Sequence, residues 1–315
     1  MAAIDTMVIV GERPASSAVW SLRLALFCSA MVIVGVVLHR LMGLPTPVLM
    51  NLFLVGFGGA AVTLLLTLGA LIRVWISGRR GGGAAILALF VCLALLACPA
   101  VFIAMARDLP RLNDVSTDLR SPPQFASIAR QREAGANPLV YPAAAFADLQ
   151  AASYPDLQPI RINRSAEEAF ELAADAVRRL KFHIVSETPP GADAERPGLI
   201  EATDRTLLVG YTDDVVIRIV GDQSTAVVDM RSASRYGAGD FGTNANRVRA
   251  FAKELRARLE STVPGAATPR GRAKGRAAIP KRLPGADRKK AGPRSSQDRA
   301  KSDAQRGPAP TARPR

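Results

Sequence analysis

A chain of 315 residues has room for more than one domain, and 41 Lys and Arg against 27 Asp and Glu leave it a formal charge of +14. That charge is concentrated: residues 265–315 hold fifteen Lys and Arg against three Asp, +12 of the total, so the basic balance says nothing about the fold of the body. The three Cys all fall in the first 98 residues and there are two His, which excludes an internal disulfide or Cys-based metal site from the later domain and leaves no metal or cofactor expected.

A short segment, 1–19, precedes an apolar region, 20–106, that contains three runs at 20–42, 48–72 and 84–106. The second and third carry no charge over more than twenty residues, the length needed to cross a ~30 Å hydrocarbon layer. The first has Arg23 near its start and His39-Arg40 near its end, which must snorkel to the headgroups. A cleaved signal peptide competes for this run, but the run continues past a signal core. Arg13, Arg23, Arg73, Arg79 and Arg80 fall on one side of the spans, and Arg40, Arg107, Arg111 and Arg120 on the other. The short Arg79-Arg80 loop decides this balance. It places the amino terminus in the cytoplasm of a bacterial inner membrane and everything after residue 106 in the periplasm. Gly56-Phe-Gly58-Gly59-Ala60 would permit close helix approach, although loose packing of a Gly-rich span is the favoured expectation. Pro99 is expected to kink the third span.

Residues 107–159 form a Pro-rich strap, with short helical turns at 124–131 and 143–151. Phe125, Tyr141, Phe146 and Tyr154 punctuate it, so it is expected to lie along the following domain, 160–262. There a strand at 159–163 precedes a helix at 165–180 that Ser165 caps, with Glu168 completing a capping box. Strands follow at 182–187, 199–203 and 206–211, then a hairpin, then a closing helix at 243–260. In the hairpin, Val215, Ile217 and Ile219 alternate with Asp214, Val216 and Arg218, and the pattern resumes after Gly221-Asp222-Gln223-Ser224. That turn places Ile217 across from Val228 and Asp214 across from Arg231, with Arg218 diagonal to Asp229, on a charged face left open to water. The expected fold is membrane-anchored α+β: three spans, an antiparallel sheet flanked by two helices in a helix-grip-like order, and a disordered basic tail, 263–315.

Chemistry is sparse. Gly237-Ala-Gly239-Asp-Phe-Gly242 matches the dinucleotide-binding expression, but the preceding strand is antiparallel and no βαβ unit follows. Asp240 is expected to cap the closing helix, in preference to an anion held there by Arg235 and Arg247. A nucleophilic relay would have to use His183 with Ser232 or Ser234 and has no recognisable elbow. Arg218, Arg231, Arg235 and Arg247, with Asp214 and Asp229 orienting the guanidinium planes, form the candidate binding set, weighed against ordinary surface ion pairs.

Several stretches together resemble the domain-of-unknown-function family 1499 over residues 111–260. They are Asn113-Asp-Val-Ser-Thr-Asp118, Pro122-Pro123-x-Phe125, Tyr141-Pro142, Ile200-Glu-Ala-Thr203, Asp213-Asp-Val-Val-Ile-Arg218, and Val228-Asp-Met-Arg-Ser-Ala-Ser-Arg235 followed by Asp240 and Asn244-Ala-Asn-Arg247. Where the family carries an aromatic run before the double Asp, this chain has Leu207-Leu-Val-Gly-Tyr211. The resemblance implies domain limits and no activity. The leading expectation is a membrane-tethered, non-catalytic envelope module that meets membrane lipid and binds an anionic envelope component or protein. The rivals are a hydrolase or transferase using Asp213, Asp214 and Asp240 near Arg218 and Arg231, and a cytoplasmic nucleic-acid tether through the basic tail. The tail has no aromatic residue for stacking, so nucleic acid is the least favoured partner.

Overall fold

The computed structural model describes residues 15–133, 135–191 and 196–262. The expectations for the amino-terminal 14 residues, Arg13 among them, and for the basic tail lie outside the described residues.

Three helices come first, α1 (Ser16–Met42), α2 (Thr46–Ser77) and α3 (Gly82–Ala106), each long and apolar enough to cross a membrane. Short turns reverse the chain between them, so α1 and α3 end on the side from which the rest of the chain departs. The favoured expectation of loose packing around Gly56 is corrected. A Cβ on Gly56 would sit 2.5 Å from Val32 Cγ2, and one on Gly59 would sit 2.9 Å from Cys28 Sγ, so the bare backbone of α2 lies directly on α1. Pro99 lies within α3.

The domain follows as β1 (Asp114–Ser116), a 3₁₀ turn (Ile128–Gln131), α4 (Ala143–Ser153), β2 (Ile160–Ile162), α5 (Ala166–Arg179), β3 (His183–Thr188), β4 (Gly198–Arg205), β5 (Thr212–Gly221), β6 (Ala226–Ser234) and α6 (Thr243–Ser261). Every strand pair is antiparallel, in the order β1-β6-β5-β4-β3, and β2 shares with β1 the outer edge of β6. The helix at α5 forms because Phe170, Ala173 and Val177 recur on one face, while Ser165 Oγ accepts the Glu168 amide at 3.2 Å. Acidic Glu167 and Glu168 in its first turn and basic Arg178 and Arg179 in its last complement the helix dipole. That face packs with Phe251 and Leu255 of α6 against Ile200, Ile217, Ile219 and Met230. The two helices therefore cover one side of the sheet.

Three expectations are corrected. Residues 206–211 are not a strand but the β4–β5 loop, closed by the Thr206 amide donating to Tyr211 O at 2.8 Å and by Thr206 Oγ1 accepting the Gly210 and Tyr211 amides. The strap supplies a strand of its own, β1, whose outward peptide groups at Ser116 are met by the buried side-chain amide of Gln150 on α4. Gln150 accepts from Ser116 N at 3.0 Å and donates to Ser116 O at 2.6 Å, so this edge cannot recruit another chain. The hairpin register is displaced by two residues: Arg218 lies directly across from Asp229, and Asp214 across from Ala233 instead of Arg231. The cause is the turn. Asp222 Oδ1 accepts the amides of Ser224 (2.7 Å) and Thr225 (2.9 Å), so four residues, 222–225, form the loop, and Gly221 closes against Thr225 so tightly that a Cβ would sit 2.2 Å from its carbonyl. A shift of two preserves which side chains share a face.

Those amides hold the exposed Asp222 carboxyl down at about 2. A carboxylate whose pKa is lowered by folding stabilises above its unfolded value, near 3.9, and loses that contribution as pH falls through the folded value. Asp222→Ala should therefore lower Tm at pH 7, with the gap from the native protein closing as pH falls toward 2. A gap unchanged over that range in thermal unfolding would show that the carboxylate does not hold the turn.

Candidate functional site

The face that carries Asp214, Val216, Arg218, Asp229 and Arg231 is not open to water, as the sequence suggested, but lies beneath the strap. Arg231 has 0 % relative exposure. Its Nε and Nη2 grip Asp114 of β1 at 3.0 and 2.7 Å, Nη1 donates to Pro123 O at 3.1 Å, and Nη2 also donates to Leu139 O at 2.7 Å. The rings of Phe125 and Tyr141 lie 4.9 and 5.5 Å from the guanidinium carbon. Burial raises the Asp114 pKa, and the hydrogen bonds and charge of Arg231 pull it back. Burial, and then the charge on Asp114, push the Tyr141 phenol up to about 12.

Neighbouring groups repeat this arrangement. Arg218 donates to Asp229 and Asp118 at 2.8 Å each and to Ser121 O at 2.8 Å. Burial works to raise the Asp118 pKa, but the Ser121 amide, the Arg218 guanidinium and the Arg120 amide outweigh it and hold the carboxyl below its usual value. Thr117 Oγ1 donates to Asp229 and accepts the Met230 amide, which stitches β6 to the strap. Glu201 of β4 accepts the amides of Ala126, Ser127 and Ile128 at 2.7–2.9 Å and so caps the 3₁₀ turn. Asp214 is shared by two guanidiniums, Arg132 at 2.7 Å and Arg235 at 2.7 Å.

Adjacent strand residues point to opposite sides of a sheet, and this separates the acids of the enzyme hypothesis. Asp214 faces the strap, whereas Asp213 faces α6 and pairs with Arg247 Nη2 at 2.9 Å. Arg247 also meets Asp204 at 2.8 Å, Ser232 Oγ at 3.0 Å and Asn244 Oδ1 at 2.6 Å. Asp240 accepts the amides of Gly242 (2.8 Å) and Asn244 (2.7 Å), as a cap at the start of α6. Burial raises the pKa of both Asp213 and Asp240, and the charge on Asp240 adds to the rise at Asp213. Arg235 and Arg247 lie on opposite sides of the sheet, so one anion in the glycine loop cannot reach both.

A cleft of about 560 Å³ opens where the strap stops covering the sheet. It is lined by Gln131 of the strap, Lys181, His183 and Val185 just after α5 and along β3, Thr203, Asp204 and Arg205 of β4, Thr212 of β5 and Arg235 just after β6. Asp204 and Arg235 are engaged in the pairs above. Lys181, His183 and Arg205 are exposed and have no ion-pair partner among the described residues. Since Asp214 is divided between Arg132 and Arg235, the cleft keeps an excess of positive charge. Of the residues singled out from the sequence, Arg235 of the candidate binding set borders it, and so does His183, which the relay would have needed. Lys181 carries a signal of a different kind. It follows the helix cap of α5 at φ +61°, with the Phe182 amide bonded to Val177 O at 3.2 Å, the position at which helices ordinarily place Gly.

No group of three or more His, Cys, Asp or Glu among the described residues is arranged to hold a metal ion. Residues 114–255, from β1 into α6, match the family described as "Protein of unknown function (DUF1499)", and the three apolar helices lie outside the match. Among curated proteins none matches the chain. Asp114, Pro123, Phe125, Tyr141 and Arg231, all within the stretches that carry the family resemblance, are among the residues that fasten the strap to the sheet.

Replacing Arg231 by Met strands Asp114 in the interior and should cost about 3–5 kcal/mol of stability. The double variant Asp114→Leu with Arg231→Met should recover part of that loss, measured by denaturant unfolding of the detergent-solubilised protein. A double variant less stable than Arg231→Met would show that the pair is not the unit that matters.

Proposed function

We propose that this DUF1499 domain is a non-catalytic binding module, held at the membrane by α1–α3, whose cleft between β3, β4 and the strap takes an anionic group, a phosphate or a carboxylate. The observation that carries the reading is the gathering of Lys181, His183, Arg205 and Arg235 around one opening, while Arg218, Arg231 and Arg247 are already paired with internal carboxylates. A guanidinium or ammonium held in place before the ligand arrives needs little reorganisation to bind it. Lys181 supports the same reading. A lysine in the left-handed region costs about 1 kcal/mol relative to glycine, and such strain concentrates where a side chain is needed for function. Asp214, by contrast, lies on the opposite side of the sheet from Asp213, and each is held by its own arginines, which weighs against a hydrolase or transferase built on Asp213, Asp214 and Asp240 together.

For localisation, the reading is a bacterial inner membrane with the amino terminus in the cytoplasm and the domain in the periplasm, supported by the Arg79-Arg80 turn between α2 and α3. Ser121 is exposed on the strap. Ser121→Cys should react with a membrane-impermeant thiol reagent in intact cells, and reaction only after lysis would reverse the orientation.

Binding is tested with the full chain in detergent, titrated with inorganic phosphate, and in nanodiscs with and without phosphatidylglycerol. Lys181→Gly should raise Tm by relieving about 1 kcal/mol of backbone strain while weakening anion affinity roughly tenfold, the loss expected for one charge-assisted contact. Arg205→Ala should weaken affinity by a similar factor and leave Tm unchanged. Preference for phosphatidylglycerol nanodiscs over free phosphate would identify a headgroup as the source of the anion. Unaltered affinity in both variants would remove the cleft as the site.

A further inference from the structure

The β4–β5 loop presents two adjacent apolar side chains, Leu207 and Leu208, that are 83 % and 72 % exposed. Isolated exposed leucines are ordinary, but these two are held in place by a closed loop in which the Thr206 side chain and backbone bind both Gly210 and Tyr211. The loop also sits at the end of a membrane-length helix. Arg40, two residues before α1 ends at Met42, donates to Thr206 O at 3.2 Å, and His39 lies 5.9 Å from the Tyr211 ring. On α1 itself, Leu41 and Met42 are exposed beside it, so the apolar surface of the helix continues toward the loop.

A second contact ties the domain to the end of α3. Phe241, 42 % exposed and held at φ +54°, packs at 5.5 Å against Phe102 of α3. Phe102 is four residues short of the helix end at Ala106, so Phe241 reaches about 6 Å below the top of α3. We infer that the Leu207-Leu208 tip is seated in the lipid bilayer at the boundary between headgroups and acyl chains, beside α1, with Phe241 at the same depth beside α3. The domain is then docked on the membrane face down, along two loops, instead of swinging on the strap. This goes beyond the cleft reading and does not depend on it, because neither leucine lines the cleft.

The chain has two Trp, Trp20 and Trp75, so replacing both by Phe leaves a silent background. Leu208→Trp in that full-length background, reconstituted in phosphatidylcholine vesicles, should emit at short wavelength. It should lose most of its emission when the acyl chains are brominated and resist quenching by aqueous acrylamide. Val220→Trp, 41 % exposed and roughly 26 Å along β5 from the loop, should behave in the opposite way. Acrylamide-accessible emission from Leu208→Trp that brominated lipid leaves untouched would overturn the proposal. Short-wavelength emission that is insensitive to both quenchers would overturn it too, by assigning the loop to contact with a second copy of the chain.

Discussion

A fully buried guanidinium, Arg231, dictates how the strap side of this domain is built. Removing such a group from water costs several kcal/mol, and the cost is offset only when its donors are met. An arginine offers donors and no acceptors, and an extended, proline-rich segment offers carbonyls that no ladder uses. The two match. Pro123 O and Leu139 O accept from Arg231, Ser121 O from Arg218, and Asn137 O from Arg132. Asp114, Asp118, Asp229 and Asp214 supply the balancing charge. The strap is therefore a polar lid fitted to a charged sheet face, and the apolar core lies on the opposite side under α5 and α6.

Periodicity made much of the fold legible. The three apolar runs, the capped helix at α5, the closing helix and both faces of the β5–β6 hairpin follow from spacing alone, because each is decided within a window of one or two dozen residues. The register was not legible, since a turn centred within Gly221-Asp222-Gln223-Ser224 and a loop of residues 222–225 headed by Asp222 look alike in sequence and differ by two residues in pairing. Nor did alternation reveal that the charged face was covered. It separates two faces of a strand and is silent on what lies over either, and the partner of Arg231 comes from 117 residues away.

The cleft was illegible for a related reason, because it draws on residues just after α5 and β6, on β3, β4 and β5, and on the strap. The one local clue was the absence of Gly after Leu180, where the helix ends and the backbone turns left-handed at Lys181. The charges that alternation made conspicuous lie in ion pairs within the sheet and between strap and sheet, whereas Lys181 sits at a left-handed turn that alternation does not mark. Paired arginines hold the strap to the sheet, and beside them Lys181, His183 and Arg205 have no ion-pair partner among the described residues.

The distance in sequence between Asp114 and Arg231 has a consequence for biogenesis. Asp114 follows the last apolar helix closely, so it emerges from the ribosome soon after that helix, whereas its cation is translated near the end of the domain. Until then the strap has no sheet to lie on, and closing so large a loop is entropically slow. The three apolar helices are thus complete well before the strap can be fastened, and a chain interrupted before β6 would carry an unsealed sheet edge and an orphaned acid, features that make an incomplete product prone to aggregation.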